Sequence, residues 1–309
     1  MKYSFATTTD EVIAGVDLTG KTAVVTGASS GLGLQTVTAL ISAGAEVVAA
    51  VRKPDGFRAS EQWTDLGELS RKISVVALDL ASLSSVRATS RAIATRHPRI
   101  DILINNAGVM FTPQGTTADG IELQFGVDHL GHFMLTTLLL PQLQAAAEIS
   151  GDARVVTVSS EAHRNWGIDL SDINFEHREY DTFLAYGQAK SANILMTVEL
   201  HRRFGAAGVT ALAVHPGTCA TNLGRYMDRA TVKKLFAMGG ADTFAPENLK
   251  SLAQAAATAV WAATDPHLAG CGGAYLADCQ IAEAAPAATD RDTAEQLWLL
   301  SQEWVDGRT

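Results

Sequence analysis

The sequence predicts an α/β fold: a single domain in which a doubly wound parallel sheet of about seven strands is covered by helices on both faces. Short apolar segments of strand length alternate with longer segments of helical periodicity along the 309 residues. A glycine-rich turn joins the first such strand to the first helix. No Pro/Gly/Ser-rich linker, charge block or internal repeat divides the chain. This alternation is typical of a parallel sheet that is buried on both faces.

The first three predicted elements form a βαβ unit, as at the start of a Rossmann-type sheet. Residues 21–26 predict a buried strand, residues 34–44 a helix, and residues 46–51 a second strand. Ligands of such sheets bind beyond the carboxyl ends of the strands. The further strands are predicted at residues 73–78, 100–104, 154–158, 209–214 and 273–276.

Composition and charge fit a protein with a substantial core. The chain is 47% hydrophobic and 18% charged, and we predict one domain over residues 18–309 after an N-terminal lead of residues 1–17. The net charge of -9, the pI near 5.3 and the absence of a basic stripe argue against a nucleic-acid partner.

Targeting signals and metal-binding patterns are missing from the sequence. The N-terminal segment has no apolar core with a cleavage site, and no apolar stretch reaches the roughly 18 residues of a membrane span, so a cytoplasmic protein is predicted. Cys219, Cys271 and Cys279 predict neither a disulfide framework nor a zinc site. His129 and His132 lack further ligands, and no metal site is predicted.

The turn after the first strand has the character of a phosphate-binding loop. The run TGASSGLG occupies residues 26–33, directly before the first helix. Glycines at such a turn let the backbone approach a pyrophosphate, and the helix N-terminus offers free N–H groups with a partial positive charge. A flexible turn without a ligand is the alternative interpretation. The expected cofactor contacts are Gly27, Ser29, Ser30, Gly31, Leu32 and Gly33.

A tyrosine and a lysine are spaced for acid–base chemistry. Tyr186 and Lys190 lie four residues apart, which on a helix places both side chains on one face. A phenol ordinarily ionises near pH 10, and a neighbouring ammonium group favours the phenolate. Tyr186 could then serve as an acid or base near neutral pH, with the Ser160 hydroxyl upstream. The YxxxK pattern alone also arises by chance in helices.

Five motifs occur in one order along the chain: TGASSGLG, NNAG at residues 105–108, VVTVSS ending at Ser160, YGQAK at residues 186–190 and HPG at residues 215–217. Together they resemble the motif set of the short-chain dehydrogenase/reductase family. The stretches FGVDHLGHF, SSEAHR, SANIL and GGAYLADC, with 26 positions between Ser160 and Tyr186, are similar to the retinol dehydrogenase, WW-domain oxidoreductase and protochlorophyllide reductase branch.

The resemblance implies a role for each matching residue. Tyr186 would pass a proton to or from the substrate oxygen, and Ser160 would hydrogen-bond that oxygen. Lys190 would lower the pKa of the phenol and bond the nicotinamide ribose. Further cofactor contacts would come from Asp79 and Leu80 at the adenine and from Asn105, Asn106, Ala107, Gly108, Pro216, Gly217 and Thr221.

The end of the second strand bears on the choice of cofactor. Sites for NAD(H) carry a carboxylate there, whereas a basic residue accommodates the 2′-phosphate of NADP(H). Here Arg52 and Lys53 follow the strand and no carboxylate does. We therefore predict NADP(H) rather than NAD(H), with Arg52 as the main phosphate contact and Lys53 as a weaker one. The alternative is that both residues simply begin a surface loop.

One position departs from the family pattern. Asp128 stands where the family usually has an asparagine that supports a water next to the catalytic lysine. An ionised carboxylate near Lys190 would offset part of the lysine's effect and raise the pKa of Tyr186. Alternatively, the carboxylate holds the same water and changes little. We count Asp128 among the candidate catalytic residues.

The substrate is predicted to be a small hydrophobic or aromatic alcohol, aldehyde or ketone. Two segments, at about residues 161–183 and 218–245, are apolar enough to form a lidded pocket, although their side chains could equally be ordinary packing. Candidate substrate contacts are His163, Trp166, Phe183, Leu223 and Tyr226.

The leading functional hypothesis is an NADP(H)-dependent carbonyl reductase or alcohol dehydrogenase. Reduction of a carbon–carbon double bond and non-catalytic sensing of NADP(H) are the alternatives, and the intact Ser160, Tyr186 and Lys190 set disfavours the sensor. Relatives commonly pair through helices that would here lie near residues 123–143 and 186–204, which suggests a homodimer or homotetramer.

Overall fold

The sheet has eight strands in the order β3-β2-β1-β4-β5-β6-β7-β8. The first seven run parallel, and β8 pairs antiparallel with β7. The computed structural model describes residues 3–237 and 245–307. The strands are β1 Thr22–Thr26, β2 Glu46–Val51, β3 Ile73–Ala77, β4 Ile102–Asn105, β5 Ala153–Val158, β6 Val209–His215, β7 Tyr275–Ala277 and β8 Gln280–Ala282.

Helices follow most of the strands and cover both faces of the sheet. The segment Gly126–Leu130 is π-helical and joins α6 to α7 without a break. The α-helices are α1 Thr9–Ile13, α2 Gly31–Ser42, α3 Pro54–Arg58, α4 Glu61–Asp65, α5 Leu83–Arg96, α6 Leu123–Phe125, α7 Gly131–Ser150, α8 Ala162–Asn165, α9 Thr182–Phe204, α10 Arg229–Leu235, α11 Leu252–Thr264 and α12 Arg291–Asp306.

The eighth strand is the one difference from the predicted sheet of about seven. β8 has three residues, and Ile281 on it is 59% exposed, so no apolar pattern marks it. It follows a two-residue turn in which Asp278 and Cys279 have φ of 52° and 54°. Such hairpin turns normally carry Asn-Gly or Asp-Gly, and the missing glycine hides this one in the sequence. The doubly wound parallel architecture is confirmed.

The core consists of two layers separated by the sheet. Neighbouring residues of a strand point to opposite faces, so Val24 packs with α5, α7 and α9, whereas Val25 packs with α2 and α11. Strand order reverses beside β1, which lies between β2 and β4. The carboxyl ends of β1, β4, β5 and β6 therefore open onto one crevice, where ligands of such sheets bind.

The first and the last helix of the chain, α1 and α12, pack against the rest of the domain. Val12 of α1, in the segment expected as a lead, is 3% exposed, and α1 contacts α2 and α11. α12 packs along α9 and also contacts α7. α7 and α9 are the helices expected to pair with a second copy of the chain, and α12 covers part of both. Oligomeric state stays a prediction.

Of the two expected substrate segments, residues 161–183 are described in full. In the segment 218–245, residues 238–244 lie outside the described residues. Thr218 and Leu249 form an isolated bridge at the base of this segment, and the Lys250 N–H donates to the Thr218 carbonyl at 2.8 Å. Within the described residues, no helix is long and apolar enough to cross a bilayer.

Candidate active site

The glycine turn lies at the carboxyl end of β1 and is built for close approach. Gly27 has φ of 65°, and a Cβ there would lie 2.8 Å from the Cα of Ala107. A Cβ on Gly33 would lie 2.2 Å from the Gly27 carbonyl oxygen, so larger residues do not fit. Ser30 at the N-cap of α2 makes no side-chain capping bond. The first N–H groups of this helix are therefore available to an anion.

A small pocket adjoins the glycine turn and contains the two predicted phosphate contacts, Arg52 and Lys53. It has a volume of about 310 Å³ and is lined by Ser29, Arg52, Lys53, Gly56, Phe57 and Ser60. Arg52 and Lys53 are exposed and form no ion pair among residues 3–237 and 245–307. No carboxylate lines the pocket, so its charge suits an additional phosphate.

The two asparagines of NNAG have different places. Asn105 is 1% exposed and donates to the hydroxyls of Thr136 and Thr157, so it is part of the core. Asn106 lines the main cavity, and its Nδ2 donates to the carbonyl of Thr26 at 2.8 Å. Asn106 is thus the member of the pair that faces the crevice.

A buried histidine of α7 connects the end of β1 to the π-helical segment that carries Asp128. His132 Nδ1 lies 3.0 Å from the Asp128 carbonyl, to which it must donate, and Nε2 then accepts from the Thr26 hydroxyl at 2.8 Å. Thr26 Oγ1 accepts in turn from the N–H groups of Asn106 and Ala107. Burial lowers the pKa of His132 to about 4, so the ring stays neutral.

The proposed acid–base residues meet beside β5. α9 carries Tyr186 and Lys190 on one face, and Ser160 follows the end of β5. All three line one cavity of about 630 Å³. Lys190 Nζ lies 5.4 Å from the centre of the Tyr186 ring and 3.4 Å from the Val158 carbonyl oxygen. A hydroxyl, a phenol and an ammonium group therefore converge on the same space.

Asp128 pairs directly with the lysine. Its Oδ2 lies 2.9 Å from Lys190 Nζ, and the two side chains are 0% and 4% exposed. Asp128 Oδ1 accepts from the Val109 N–H at 2.8 Å, whereas Oδ2 accepts from the Lys190 ammonium group. The departure from the family pattern thus places an acidic group in direct contact with the catalytic ammonium.

Burial and charge act on all three titratable groups of this cluster. Burial raises the pKa of Tyr186, Lys190 lowers it, Asp128 raises it and the Ser160 hydroxyl lowers it; the net shift is upward. Burial alone would lower the pKa of Lys190, but Asp128 and Tyr186 outweigh it and leave that pKa raised. Burial also raises the pKa of the Asp128 carboxyl, which the charge of Lys190 opposes. The lysine is therefore held in its charged form.

The cavity brings together residues from the cofactor, acid–base and substrate predictions. Of the predicted cofactor contacts, Leu32, Asn106, Gly108, Pro216, Gly217 and Thr221 line it. Its apolar wall contains Met110, Phe111, Trp166, Leu223, Met227 and Leu235. Met227 and Leu235 come from the segment over the cavity, where Lys234 of α10 forms an ion pair with Asp181 at 2.6 Å.

Three predicted substrate contacts, His163, Phe183 and Tyr226, lie outside the lining of the cavity. His163 is 2% exposed; its Nδ1–H donates to the Ser160 carbonyl at 2.6 Å and its Nε2 accepts from the Ala285 N–H at 3.0 Å. It is neither a surface residue nor part of the cavity lining. Phe183 packs behind the wall against Phe111. Tyr226 is 41% exposed beside the guanidinium of Arg225 and outside the lining.

The predicted adenine contacts lie outside the two cavities. Asp79 Oδ1 accepts from the Ala81 N–H at 3.0 Å, and the Asp79 N–H donates to the Ser85 hydroxyl at 3.0 Å. Leu80 is 6% exposed and packs under Gly131 of α7. Both follow β3, at the same edge of the sheet as the glycine turn.

Met110, Phe111 and Leu249 line the cavity, although no predicted motif or substrate segment contains them. Met110 and Phe111 lie two and three positions after the NNAG motif, beyond the end of β4. That position could have indicated them, because residues beyond the carboxyl ends of strands face the crevice. Among the described residues, no three His, Cys, Asp or Glu side chains are grouped as a metal site requires.

Comparisons with known proteins agree with this geometry. The family model for short chain dehydrogenase matches residues 21–232. Human retinol dehydrogenase 14 is 39% identical over 93% of this chain and 86% of its own length. The WW domain-containing oxidoreductase of Pongo abelii is 38% identical over 99% of this chain and 73% of its own.

A solved structure of an uncharacterized protein from Mycobacterium paratuberculosis has a TM-score of 0.72 at 35% identity, covering 94% of this chain and 95% of that one. The family model spans well over half of the chain, and the relatives exceed 30% identity over most of it. The chain therefore belongs to the short-chain dehydrogenase family, in the branch that includes the retinol dehydrogenases and the WW domain-containing oxidoreductases.

Proposed function

We propose that the protein is an NADP(H)-dependent oxidoreductase that transfers a hydride between the nicotinamide and the carbonyl or alcohol carbon of an apolar or aromatic substrate. One observation carries the proposal: Ser160, Tyr186 and Lys190 line the same cavity as Leu32, Asn106 and Gly217 of the cofactor side. Family membership and the retinol dehydrogenase relatives support the reaction class.

The residues of the crevice fit a dinucleotide phosphate. Gly27 and Gly33 leave no room for a Cβ, and the N-terminus of α2 offers uncapped N–H groups. Arg52 and Lys53 are exposed cations that pair with no carboxylate among the described residues. When bound, the nicotinamide supplies or accepts the hydride. Arg52 would contact the additional phosphate and Gly217 would border the nicotinamide.

The chain's own residues supply the proton and the positioning. In carbonyl reduction, the protonated Tyr186 hydroxyl donates its proton to the substrate oxygen as negative charge develops there. The Ser160 hydroxyl hydrogen-bonds the same oxygen. The ammonium group of Lys190, held charged by Asp128, stabilises the phenolate that remains. The apolar wall excludes water and receives the organic part of the substrate.

The experiment is turnover of aromatic and aliphatic carbonyl compounds by the purified protein, followed by loss of NADPH absorbance, with Tyr186→Phe as the matched variant. We expect the variant to bind NADPH as the wild type does and to lose roughly a hundredfold or more in kcat, because only the transferable proton is removed. Tight NADPH binding without turnover of any carbonyl would contradict the proposal and favour a sensor. Turnover of enones alone would favour double-bond reduction.

A further inference from the structure

Phe111 has a backbone conformation that bulky residues rarely adopt. Its φ is 53°, in the left-handed region, and its side chain is 6% exposed. Such a conformation is strained and persists only where the surroundings hold it. Strained residues of this kind cluster at ligand sites, and Phe111 lines the catalytic cavity.

A buried glutamine holds this conformation. Gln124 is 0% exposed, and its Oε1 accepts from the Phe111 N–H at 2.8 Å. Because a backbone N–H requires an acceptor, this bond also sets the orientation of the amide. Nε2 then donates to the Tyr180 hydroxyl and to the Thr182 carbonyl, each at 3.0 Å. The amide is thus bonded at both ends.

The same network reaches the segment between Ser160 and Tyr186. The Tyr180 hydroxyl donates to Glu122 Oε1 at 3.1 Å, and the Thr182 hydroxyl donates to the Thr112 carbonyl at 2.8 Å. Tyr180 and Thr182 therefore brace the chain around residues 111 and 112.

The ring of Phe111 lies beside the ring of Tyr186, the proposed acid–base residue. Its centre lies 5.2 Å from that of Tyr186, edge to face, and 4.5 Å from that of Phe183. Trp166 also packs against Phe183, and the centres of these two rings are 5.8 Å apart. With neighbours on two sides and a fixed backbone, the ring has little room to move away from a substrate.

We propose that Phe111 is a specificity-determining residue, a fixed wall beside Tyr186 that limits the size of one substituent on the reacting carbon. Gln124 is its positioning residue. The inference rests on the proposed function and deepens it: the preferred substrates are aldehydes and methyl ketones carrying one flat apolar group, and ketones with two bulky groups are excluded.

The test compares the binding of acetophenone, with one methyl substituent, and benzophenone, with two rings, to protein saturated with NADP⁺. NADP⁺ cannot reduce a ketone, so binding is read without turnover. We expect wild-type protein to prefer acetophenone and Phe111→Ala to shift the affinity ratio toward benzophenone by about tenfold or more. Gln124→Met, which removes the bonds to residue 111, should shift the ratio in the same direction by less.

Phe204→Ala is the control. Phe204 is a partly buried phenylalanine at the C-terminal end of α9 that packs against Trp298, outside the cavity lining and away from Gln124 and Tyr180. Its loss should leave the ratio at the wild-type value. Phe111→Leu, a milder change, serves if the alanine variant does not fold, and should shift the ratio in the same direction.

An unchanged ratio in the Phe111 variants, an equal shift in Phe204→Ala, or no binding of either ketone would each overturn the inference. Turnover with NADPH is measured separately. Selective binding without turnover of acetophenone or other carbonyls would contradict the proposed function and leave the role of Phe111 in place.

Discussion

Two groups of cationic side chains face the carboxyl edge of the sheet, and they differ in burial and in partners. Arg52 and Lys53 follow β2, are exposed, and have no ion-pair partner among the described residues. Lys190 is almost fully buried and lies 2.9 Å from Asp128. An exposed, uncompensated cation can attract a phosphate at little cost to folding. A buried cation depends on its partner for compensation of its charge.

The difference in burial predicts different effects of substitution. Loss of Lys190 should lower both folding stability and activity, whereas loss of Arg52 or Lys53 should weaken cofactor binding alone. Removing one partner of a buried ion pair typically costs about 3–5 kcal/mol because the other charge is left uncompensated. Substitution of an exposed side chain usually changes stability by less than about 0.5 kcal/mol. Variants at the two places should therefore separate folding effects from ligand effects.

The largest effect is expected for Lys190→Met. Turnover should fall by roughly a hundredfold or more, because the charge that stabilises the phenolate is lost. The free energy of unfolding should fall by about 3 kcal/mol, since Asp128 is left buried without its partner. Urea denaturation and NADPH-dependent turnover measure the two.

The double variant Lys190→Met/Asp128→Leu is the control for this prediction. It removes both charges, so it should recover most of the stability and none of the activity. A single variant as stable as the wild type would show that the ion pair is unimportant for folding.

The next effect is a shift of the pH profile in Asp128→Asn. Burial raises the pKa of Tyr186, and the negative charge of Asp128 raises it further, so removing that charge should lower the pKa. The alkaline fall of carbonyl reduction and the rise of alcohol oxidation should both move to lower pH, by on the order of one unit. Initial rates across the pH range in both directions measure this.

An unchanged profile in Asp128→Asn would sink the idea that the carboxylate tunes the tyrosine. It would favour the alternative in which Asp128 only holds Lys190 or a water in place. Asp119→Asn is a suitable control, because that carboxylate accepts from the Leu83 N–H at 2.9 Å, does not line the catalytic cavity and should not alter the profile.

A smaller and more selective effect is expected at the exposed cations. Arg52→Ala should raise the KM for NADPH by about tenfold, because a charge-assisted bond to the additional phosphate is lost. The kcat, the KM for NADH and the free energy of unfolding should stay near wild-type values. Equal losses with NADPH and NADH would argue against Arg52 as the phosphate contact.

The smallest expected effect belongs to Lys53→Ala. An ammonium group on a flexible stem binds a phosphate with less geometric specificity than a guanidinium. We expect the KM for NADPH to rise by about twofold to threefold, less at high salt because exposed charges are screened. Steady-state kinetics at low and high ionic strength measure it. A larger effect than that of Arg52→Ala would reverse the order of the two contacts.

Much of the fold could be predicted because its signals are local. The apolar strands and the glycine turn each lie within a short stretch of sequence, and the seven predicted strands, β1 to β7, formed where expected to within two residues. β8 could not be predicted, because its turn has no glycine. In addition, Ile281 at its centre is exposed, so the strand lacks the usual alternation of buried apolar and exposed polar residues. His163 is not part of the cavity lining, because its ring is bonded to the backbone of Ala285. Ala285 lies 122 positions away along the chain, so no local pattern indicates this contact.

The sequence by itself determined the α/β architecture and the family, and it indicated Ser160, Tyr186 and Lys190 as the proposed acid–base residues, because periodicity and motif spacing are properties of short segments. The tertiary structure decided that Asp128 touches Lys190, that Asn106 rather than Asn105 faces the crevice, and that Gln124 braces Phe111 beside Tyr186. These contacts join residues from different elements. Their geometry depends on how helices and loops pack around the sheet, and no local pattern records it.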